Sequence, residues 1–281
     1  MGLLTKMKII KKEKLAQNSG IVITKLEISS PLLSQKAKPG QFVALMLSEQ
    51  GERIPLTIVN SDPVKGTITL ILQEVGLTTK LLAKLDVGDS LYSLTGPLGH
   101  ATEIKNYGKV ILVGGGVGIA EIYPVAKALK KIGNQVIAIL GARTKEILIL
   151  EKELKEVSDQ LLIATDDGSY GRKGFTTDIL DELLKKEKYD LVYAVGPIPM
   201  MRKVAGVTKN YNVKTIVSLN ALMVDATGMC GGCRVNVAGE TKFSCVDGPE
   251  FDAALVDWDT LDKRNKVYLE QEKHICKLHN L

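Results

Sequence analysis

Residues 109–133 read KVILVGGGVGIAEIYPVAKALKKIG. The stretch opens with the apolar run of a buried strand, and the four glycines that follow permit a tight turn. From Ile119 onward, apolar residues recur at helical spacing until Gly133 ends the pattern. The stretch therefore predicts a strand, a glycine loop and an amphipathic helix, which is the repeating unit of parallel α/β sheets.

The residues that follow repeat this unit. Apolar strand patterns alternate with helical patterns, and the strands are predicted at 135–142, 161–165 and 190–196, the helices at 147–157 and 176–188. Such alternation is typical of a doubly wound parallel sheet with both faces covered by helices. After about residue 218 the pattern fails and gives way to a segment rich in glycine and cysteine, then to a charged tail.

The residues that precede the stretch have a different pattern. Short β-branched or alternating runs are separated by Pro, Gly, Asp and Ser, and they predict strands at 21–28, 41–47, 54–59, 67–73 and 90–94. One helical pattern, at 76–85, interrupts them. Consecutive short strands of this kind indicate an antiparallel barrel.

We therefore predict an α+β multidomain chain. Its parts are an antiparallel β-barrel domain at 1–103, a doubly wound parallel α/β domain at 104–218, a small metal-bearing module at 219–262 and a C-terminal tail at 263–281. A chain of 281 residues is long for one hydrophobic core and suits at least two domains.

Composition excludes several classes of function. The chain is 45% hydrophobic, but its apolar runs fall short of the ~20 residues of a membrane span, so we expect no membrane insertion. The net charge is +5 and the lysines are spread along the chain, which argues against a nucleic-acid partner. The N-terminal MGLLTKMKIIKKEK lacks the apolar core and cleavage site of a secretory signal, so we expect a cytoplasmic protein.

The cysteines provide the most specific motif. Cys230 and Cys233 flank two glycines, Cys245 follows twelve residues later, and Asp225 precedes the first cysteine by five residues. This spacing approaches the plant-type ferredoxin pattern for a [2Fe–2S] cluster, with Asp225 at the first cysteine position. A zinc site or inert thiols are the alternatives, but zinc knuckles usually have two CxxC pairs, so the spacing favours iron and sulfur. Asp225 could instead simply cap a turn.

The glycine loop is a candidate nucleotide site. Four glycines place backbone N–H groups at a helix N-terminus, where a pyrophosphate can bind. The loop does not match GxGxxG, because Ile119 occupies the last position. Arg143, after the second strand, either favours NADP or is a surface residue, so the choice between NAD(H) and NADP(H) stays open. The loops TDDGSYGRKG and AVGPIPMM follow later strands, at the edge where ligands bind in such sheets.

The barrel carries a second candidate phosphate site. Arg53 and Thr57 flank Pro55, and a guanidinium can clamp a pyrophosphate while a hydroxyl bonds a ring or ribityl group. Thr78 and Thr79 lie in the first turn of the predicted helix, which can also bind phosphate. Taken singly, Arg53 is as readily a surface residue and Thr79 a helix cap.

Five motifs together resemble the ferredoxin–NADP reductase superfamily. They are RIPLT at 53–57, GLTTKLL at 76–82, GPLGH at 96–100, GGGVGIA at 114–120 and GPIPMM at 196–201. The superfamily has a flavin-binding barrel followed by a nicotinamide-binding α/β domain. With the cysteine module, the chain resembles electron-transfer subunits of the dihydroorotate dehydrogenase and NADH-dependent reduced ferredoxin:NADP oxidoreductase types, over about residues 5–262.

The resemblance implies a set of cofactor contacts. FAD would be bound by Arg53, Pro55, Leu56, Thr57, Gly76 and Thr79, with Thr78 beside them. The nicotinamide nucleotide would be bordered by Gly115, Gly116, Gly118, Asp167, Gly196 and Met200. The [2Fe–2S] cluster would be held by Asp225, Cys230, Cys233 and Cys245. Two positions depart from the superfamily pattern, since Glu121 stands where many members have proline and Val195 where many have cysteine.

The function implied is electron transfer between NAD(P)H, FAD, the [2Fe–2S] cluster and a larger flavin- and iron–sulfur-containing partner subunit, with ferredoxin served through the complex. No acid–base or nucleophilic catalytic constellation is evident in the sequence. The nearest alternative is the electron-transfer subunit of a dihydroorotate dehydrogenase. A stand-alone flavin reductase and a zinc-stabilised nucleotide-binding regulator are further alternatives. The role of Cys276 stays open.

Overall fold

The computed structural model describes residues 7–278, so the predicted domain limits at residues 1 and 281 lie outside the described residues. The strands are β1 (Ile9–Asn18), β2 (Ile21–Ser29), β3 (Phe42–Met46), β4 (Ile54–Asp62), β5 (Thr67–Gln73), β6 (Ser93–Leu98), β7 (Lys109–Gly115), β8 (Gln135–Ala142), β9 (Gln160–Thr165), β10 (Arg172–Lys173), β11 (Leu191–Val195), β12 (Thr215–Ser218), β13 (Arg234–Val237), β14 (Glu240–Phe243) and β15 (Glu250–Asp252). The helices are α1 (Pro31–Lys36), α2 (Leu77–Leu82), α3 (Gly118–Lys131), α4 (Glu151–Glu156), α5 (Thr176–Lys186), α6 (Ile198–Asn210), α7 (Trp258–Asn265) and α8 (Leu269–Leu278), with one 3₁₀ turn at Lys145–Ile147.

The N-terminal strands form the predicted antiparallel barrel. Their order is β1-β2-β5-β4-β3-β6, and every neighbouring pair is antiparallel. A bridge between Lys8 and Ser90, with a 2.9 Å bond from the Ile9 N–H to the Asp89 carbonyl, joins the two ends of the sheet. Because the sheet curls back on itself, its inner side chains form a separate core, in which Leu26 and Leu70 are fully buried.

Strand β1 was not predicted from the sequence. Its pairing with β2 is interrupted by register shifts between Ile9 and Lys11 and between Lys14 and Ala16. Such bulges break the alternation of buried and exposed positions on which strand prediction depends. Two other predicted elements are displaced: β6 runs to Leu98 rather than ending at residue 94, and α4 begins only at Glu151, because Leu150 adopts a left-handed φ of 54°.

The second sheet has the predicted doubly wound topology. The strand order is β10-β9-β8-β7-β11-β12-β15, and all strands except β15 run parallel. The central strands are buried on both faces, as in Ile111 and Leu112 of β7, each fully inaccessible. Helices cover both faces of the sheet, because the connections between successive parallel strands contain helices that pack on the sheet.

The cysteine-bearing segment is built onto this sheet. Strand β15 comes from that segment yet pairs antiparallel with β12, so that Phe251 lies opposite Val217. Strands β13 and β14 form a separate hairpin, and buried Cys233 and Cys245 belong to the same apolar core as the α/β domain. The predicted limit between residues 262 and 263 falls inside α7, and the domain limits stay predictions.

Within residues 7–278, no helix is both long enough and apolar enough to cross a bilayer.

Candidate functional site

The two segments predicted to bind flavin lie side by side in the barrel. The Thr78 hydroxyl of α2 hydrogen-bonds to the carboxylate of Glu52, which immediately precedes the RIPLT motif. Arg53 is exposed, and its Nε lies 3.3 Å from the Met46 sulfur of the neighbouring strand. Thr57, in β4, lies opposite Phe42 of β3, which fixes its position on the sheet. The structure thus brings the predicted clamp, Arg53, and the start of α2 to one edge of the barrel.

Thr79 has an observed structural role. Its hydroxyl oxygen lies 3.0 Å from the backbone nitrogens of Val75 and Gly76, and the hydroxyl is also 3.0 Å from the Gly76 carbonyl. These bonds shape the turn that begins α2, as expected of a capping residue. Helix α2 spans only Leu77–Leu82, so its dipole is small. A flavin contact from Thr79 stays a prediction, and its hydroxyl is already engaged with its own turn.

Four of the predicted nicotinamide residues converge between β7 and β11. A Cβ atom at Gly115 would lie 2.4 Å from the Met200 sulfur, and one at Gly196 would lie 2.6 Å from the Met200 methyl group. A Cβ atom at Gly118 would lie 2.6 Å from the Val195 carbonyl oxygen. At Gly118 only glycine permits this approach of α3 to the backbone of β11, whereas at Gly115 and Gly196 the nearest atoms belong to the flexible Met200 side chain.

One side of the glycine loop is open. Gly116 has a left-handed φ of 57°, and a Cβ atom there would meet nothing within 4 Å. The Gly116 N–H is bonded to the Gly141 carbonyl at 2.9 Å, which fixes the loop against β8. The fourteen-residue helix α3 begins at Gly118, and the N–H groups of Ile119 and Ala120 are bonded to the Gly116 and Val117 carbonyls at 3.2 and 2.9 Å, so the loop offers the positive end of the helix dipole. A negatively charged group is favoured at such a helix end.

Asp167 lies apart from this group. It follows β9, two strands away from β7 along the same carboxyl edge of the sheet. Its Oδ1 accepts bonds from the backbone N–H and the hydroxyl of Ser169, at 2.9 and 2.7 Å. The Ser169 N–H, followed by its hydroxyl, lowers the pKa of Asp167, which is therefore ionised at neutral pH.

Two of the predicted cluster ligands are buried together. The Cys233 and Cys245 sulfur atoms are 3.1 Å apart, and the side chains are 2% and 1% exposed. The cysteines are free thiols, and burial raises the pKa of the Cys245 thiol to about 12. A bare thiolate is thus disfavoured at this position, whereas a bound metal deprotonates its thiol ligands. The backbone N–H of Cys245 lies 3.4 Å from the Cys233 sulfur, a donor that suits a metal-bound thiolate.

The other two predicted ligands form a second, more exposed pair. The Asp225 Oδ2 accepts a bond from the Cys230 N–H at 3.0 Å, while its Oδ1 accepts one from Thr227 at 2.8 Å. These N–H groups, Thr227 first, lower the pKa of Asp225. The Gly232 N–H points at the Cys230 sulfur from 3.3 Å. Asp225 therefore caps a turn, as the alternative interpretation supposed, and the same turn places it beside Cys230.

The two pairs are compatible with a two-iron cluster. In the part of the chain that the structure describes, no three His, Cys, Asp or Glu side chains come close enough to hold one metal ion. A closed structural zinc site needs four ligands around one centre. A [2Fe–2S] cluster needs only two protein ligands on each iron, which matches one buried and one exposed pair.

The C-terminal helix α7 supports the cysteine loop. The Arg264 guanidinium donates to the Gly232 carbonyl at 2.9 Å. Asn265 accepts a bond from the Leu222 N–H at 3.0 Å and donates to the Asn220 carbonyl at 2.7 Å. Helix α7 and the cysteine loop are thus joined by hydrogen bonds. Nothing in the sequence pattern predicted this role for Arg264 and Asn265.

Two carboxylates, Glu121 and Glu250, lie near the junction of the barrel and the α/β domain. Their position there was not predicted from the sequence. Glu121 lies in the first turn of α3, the helix that packs against β4, and burial raises its pKa to about 7. The buried Tyr193 hydroxyl donates to Glu250 at 2.7 Å, and Thr102 bonds the same carboxylate. The sequence contained one indication of this site, because Glu121 lies between two apolar residues, Ala120 and Ile122. Both of these neighbours are buried in the structure.

Domain families match most of the chain. Residues 6–102 match the oxidoreductase FAD-binding domain, residues 112–206 the oxidoreductase NAD-binding domain, and residues 220–257 the iron–sulfur cluster binding domain of dihydroorotate dehydrogenase B. The three matches confirm the predicted FAD, nicotinamide and iron–sulfur cofactors and the oxidoreductase class.

Relatives match over nearly their whole length. The chain is 51% identical to the dihydroorotate dehydrogenase B (NAD(+)) electron transfer subunit homolog of Thermotoga maritima, over 94% of this chain and 92% of that one. It is 35% identical to the dihydroorotate dehydrogenase B (NAD(+)) electron transfer subunit of Bacillus caldolyticus, over 82% of this chain and 91% of that one.

Solved structures have the same fold as this chain. A chain from the structure of NADH-dependent reduced ferredoxin-NADP oxidoreductase, described in connection with flavin-based electron bifurcation, superimposes with a TM-score of 0.92 at 48% identity and covers all of both chains. The ferredoxin-NADP⁺ reductase of Plasmodium falciparum, at 17% identity and a TM-score of 0.58, shares the fold over 73% of this chain and 89% of that one.

Proposed function

Because this chain belongs to the family of dihydroorotate dehydrogenase B electron-transfer subunits, we propose that it passes electrons between NAD(H) and a flavin-containing larger subunit, through its own FAD and [2Fe–2S] cluster. The observation that supports this most strongly is that the FAD, nicotinamide and iron–sulfur segments occur in one chain, 94% of which aligns with an electron transfer subunit homolog. When bound, flavin exchanges two electrons with a nicotinamide as hydride and single electrons with an iron–sulfur centre.

The residues of this chain position the cofactors rather than supply acid–base chemistry. Arg53 would clamp the flavin pyrophosphate, with Pro55, Leu56, Thr57, Gly76, Thr78 and Thr79 around it. Gly115, Gly116 and Gly118 would receive the nicotinamide nucleotide at the N-terminus of α3, with Gly196 and Met200 beside them. Asp167 would lie toward its ribose end.

Four residues are proposed as cluster ligands, in two pairs. The buried pair Cys233 and Cys245 would hold one iron, and the exposed pair Asp225 and Cys230 the other. The N–H groups that point at the Cys230 and Cys233 sulfurs support this assignment, because such donors stabilise metal-bound thiolates.

The nucleotide is proposed to be NAD(H) rather than NADP(H). Asp167 and Glu146 are both acids of lowered pKa and lie near enough to interact, so both are ionised at neutral pH. Two negative charges at the ribose end oppose a 2′-phosphate. Arg143 precedes them, and its exposure is compatible with a surface role.

The partner is proposed to dock at the cluster loop. Met229 is 89% exposed and Val224 53% exposed, and both lie next to proposed ligands. Large apolar side chains exposed beside a redox centre are typical of an interface. By similarity to the NADH-dependent reduced ferredoxin-NADP oxidoreductase chain, the partner would be a larger flavin and iron–sulfur subunit that handles NADP(H) and ferredoxin.

A dihydroorotate dehydrogenase partner is the second candidate, supported by the names of the Thermotoga maritima and Bacillus caldolyticus relatives. Co-purification separates the two: recovery of a pyrimidine-pathway dehydrogenase would favour this candidate, and recovery of a larger ferredoxin-linked oxidoreductase the first.

The decisive experiment is an ultraviolet–visible spectrum of anaerobically purified protein, before and after addition of NADH or NADPH, with iron and zinc assayed on the same sample. We expect flavin bands and an iron–sulfur shoulder, bleached faster by NADH. Asp225→Ala should weaken the iron–sulfur shoulder and leave the flavin bands. A colourless, zinc-containing protein would contradict the proposal, and an unchanged shoulder would remove Asp225 from the ligand set.

A further inference from the structure

One carboxylate oxygen joins three parts of the chain. Glu250 belongs to β15, the strand that the cysteine segment adds to the α/β sheet. Its Oε1 accepts a hydrogen bond at 2.7 Å from the hydroxyl of Tyr193, a β11 residue that is 2% exposed. The same oxygen accepts a hydrogen bond from the hydroxyl of Thr102, which follows the barrel. Glu250 therefore connects the cysteine segment to both larger domains.

The barrel approaches this oxygen closely. Gly40, in the loop before β3, is buried and has a left-handed φ of 82°. A Cβ atom there would lie 2.7 Å from the Glu250 Oε1. The Thr102 N–H also donates to the Pro39 carbonyl at 2.9 Å, which holds Thr102 against the same loop. The approach of the barrel to Glu250 therefore depends on a glycine at this position.

Backbone hydrogen bonds hold the two residues just before Glu250. The Gly248 carbonyl accepts a bond at 2.7 Å from the N–H of His100, which ends the GPLGH motif of the barrel. The Pro249 carbonyl accepts a bond at 2.9 Å from the N–H of Leu219, which follows β12. The cysteine segment is therefore held between the barrel and the α/β sheet at this point.

Hydroxyl groups compensate the charge of Glu250. In the part of the chain that the structure describes, Glu250 takes part in no ion pair. Hydrogen bonds to a charged acceptor are stronger than those between neutral groups. Loss of the carboxylate would also leave the buried Tyr193 hydroxyl without its acceptor. The carboxylate is thus the common anchor of two hydroxyls that come from different domains.

We propose that Glu250 is a positioning residue for electron transfer, which holds the cysteine segment against the barrel and so sets the separation of the proposed cluster and flavin sites. Cys245, a proposed ligand, lies only five residues before Glu250, so a movement of Glu250 would reach the cluster site over a short length of chain. The inference rests on the proposed function, since it takes Cys245 as a ligand and the barrel as the flavin site.

The test is anaerobic rapid mixing of the whole protein with NADH, followed at a flavin wavelength and at an iron–sulfur wavelength. In wild type, bleaching of the cluster should lag only briefly behind bleaching of the flavin. Glu250→Ala should keep the flavin, the iron and the rate of flavin reduction, but the lag should lengthen by at least about tenfold, since a misplacement of about 1 Å can cost roughly 100-fold in rate. Glu250→Gln keeps an oxygen that accepts both hydroxyls, so it should restore the short lag. Glu240→Ala, at an exposed acid of the same segment, is the matched control and should behave as wild type.

A second measurement does not depend on activity. Hydrogen–deuterium exchange of the whole protein should rise in Glu250→Ala at residues 38–41, 99–102 and 247–251, where the barrel and the cysteine segment meet. The central strands β7 and β8 should stay as protected as in wild type. Thr102→Val removes only the hydrogen bond from the barrel side, so it should raise exchange at the same residues and lengthen the lag. The test therefore does not depend on a single variant.

Three outcomes overturn the inference. A lag that stays short in Glu250→Ala or in Thr102→Val would show that the carboxylate does not position the cluster site. A lag as long in Glu250→Gln as in Glu250→Ala would show that the hydrogen bonds are not the cause. A purely structural role would raise exchange throughout the α/β sheet and lower the flavin or iron content, without a selective lag. Wild-type protein without flavin or iron would instead overturn the proposed function, so the two failures are distinguishable.

Discussion

Two glycine-rich loops of this protein are shaped in different ways. The loop from β7 to α3 is surrounded by its own sheet, so that a Cβ atom at Gly118 would lie 2.6 Å from the Val195 carbonyl. The glycines of the cysteine loop are less crowded: Cβ atoms at Gly228 and Gly232 would lie 3.0 and 3.1 Å from valine side chains, and one at Gly231 would meet no atom nearer than 3.6 Å. There, hydrogen bonds from backbone N–H groups to Asp225 and to the Cys230 sulfur hold the turns.

The difference separates a site formed by packing from a site formed by its ligands. The first loop is fixed by backbone contacts with β8 and β11, so its conformation is formed before a nucleotide binds. The second depends on donors and acceptors that a metal cluster would complete. Substitutions should therefore act on folding in the first loop and on cofactor content in the second.

The largest effect on cofactor content is expected at the buried ligand pair. Cys245→Ser removes one of two sulfur atoms 3.1 Å apart, and bound iron should fall by at least about tenfold, since even outer-shell changes at metal sites cost roughly 10–100-fold in affinity. Flavin content should persist, because the barrel has its own core. Iron and flavin assays check this.

The control is Cys276→Ser on α8, outside the proposed ligand set, which should keep full iron. Retention of iron by Cys245→Ser would mean that the loop does not depend on its ligands, and the comparison between the two loops would fail.

Gly118→Ala should have the largest effect on folding. The added methyl group would collide with the backbone of β11, which cannot move without disturbing the sheet, so unfolding should become easier by about 2–3 kcal/mol. Chemical denaturation followed by circular dichroism measures the change. Gly206→Ala, on an exposed face of α6 with open space around it, is the matched control and should stabilise by about 0.5–1 kcal/mol. Equal effects of the two substitutions would contradict packing as the origin of the loop.

The first loop was the easier one to predict from sequence. Apolar strands, glycines and helical periodicity are local signals, and they predicted the doubly wound sheet and the position of the glycine loop. The barrel was predicted without β1, whose bulges remove the alternation. The cysteine spacing predicted the ligand set, whose role stays a prediction, but not its division into a buried and an exposed pair.

What sequence could not provide are contacts between distant segments. Glu250 meets both Tyr193 and Thr102 only because three parts of the chain come together at the domain junction. Strand β15 has three residues, and nothing in its own pattern indicates that it joins the parallel sheet. These features follow from tertiary packing rather than from local propensity.

The response to pH should also distinguish the two loops. Glu121, beside the first loop, has a pKa raised from 4.5 to about 7, so its folded form holds a proton that the unfolded chain has lost. The stability it contributes is present below pH 4.5 and is lost as the pH rises through 7. Between about pH 5 and 8, wild type should lose up to about 3 kcal/mol relative to Glu121→Gln.

Denaturation curves at several pH values measure this loss. Asp225, in the second loop, has a lowered pKa, so the stability that it contributes stays constant in this range. Parallel pH profiles for wild type and Glu121→Gln would show that the carboxyl near the first loop is ionised throughout.

The smallest effect is expected at Gly231. Its φ of 67° is left-handed, but the space around it is open, so Gly231→Ala should cost about 1–2 kcal/mol through backbone strain alone. Iron content should stay near the wild-type value, because no ligand is removed. Denaturation and iron assays on the same sample check both statements. A loss of iron comparable to that of Cys245→Ser would indicate that the loop conformation, rather than its ligands, defines the cluster site.

The antiparallel strand β15 has a consequence for truncation and for aggregation. It covers the edge of β12 that would otherwise present free backbone N–H and C=O groups at the end of the sheet. A chain shortened to residue 218 would lack β15 and expose that edge, which is a template for pairing with other chains. The cysteine segment thus also protects the edge of the sheet from pairing with other chains. A fragment made by deleting this segment should self-associate rather than remain a monomeric reductase.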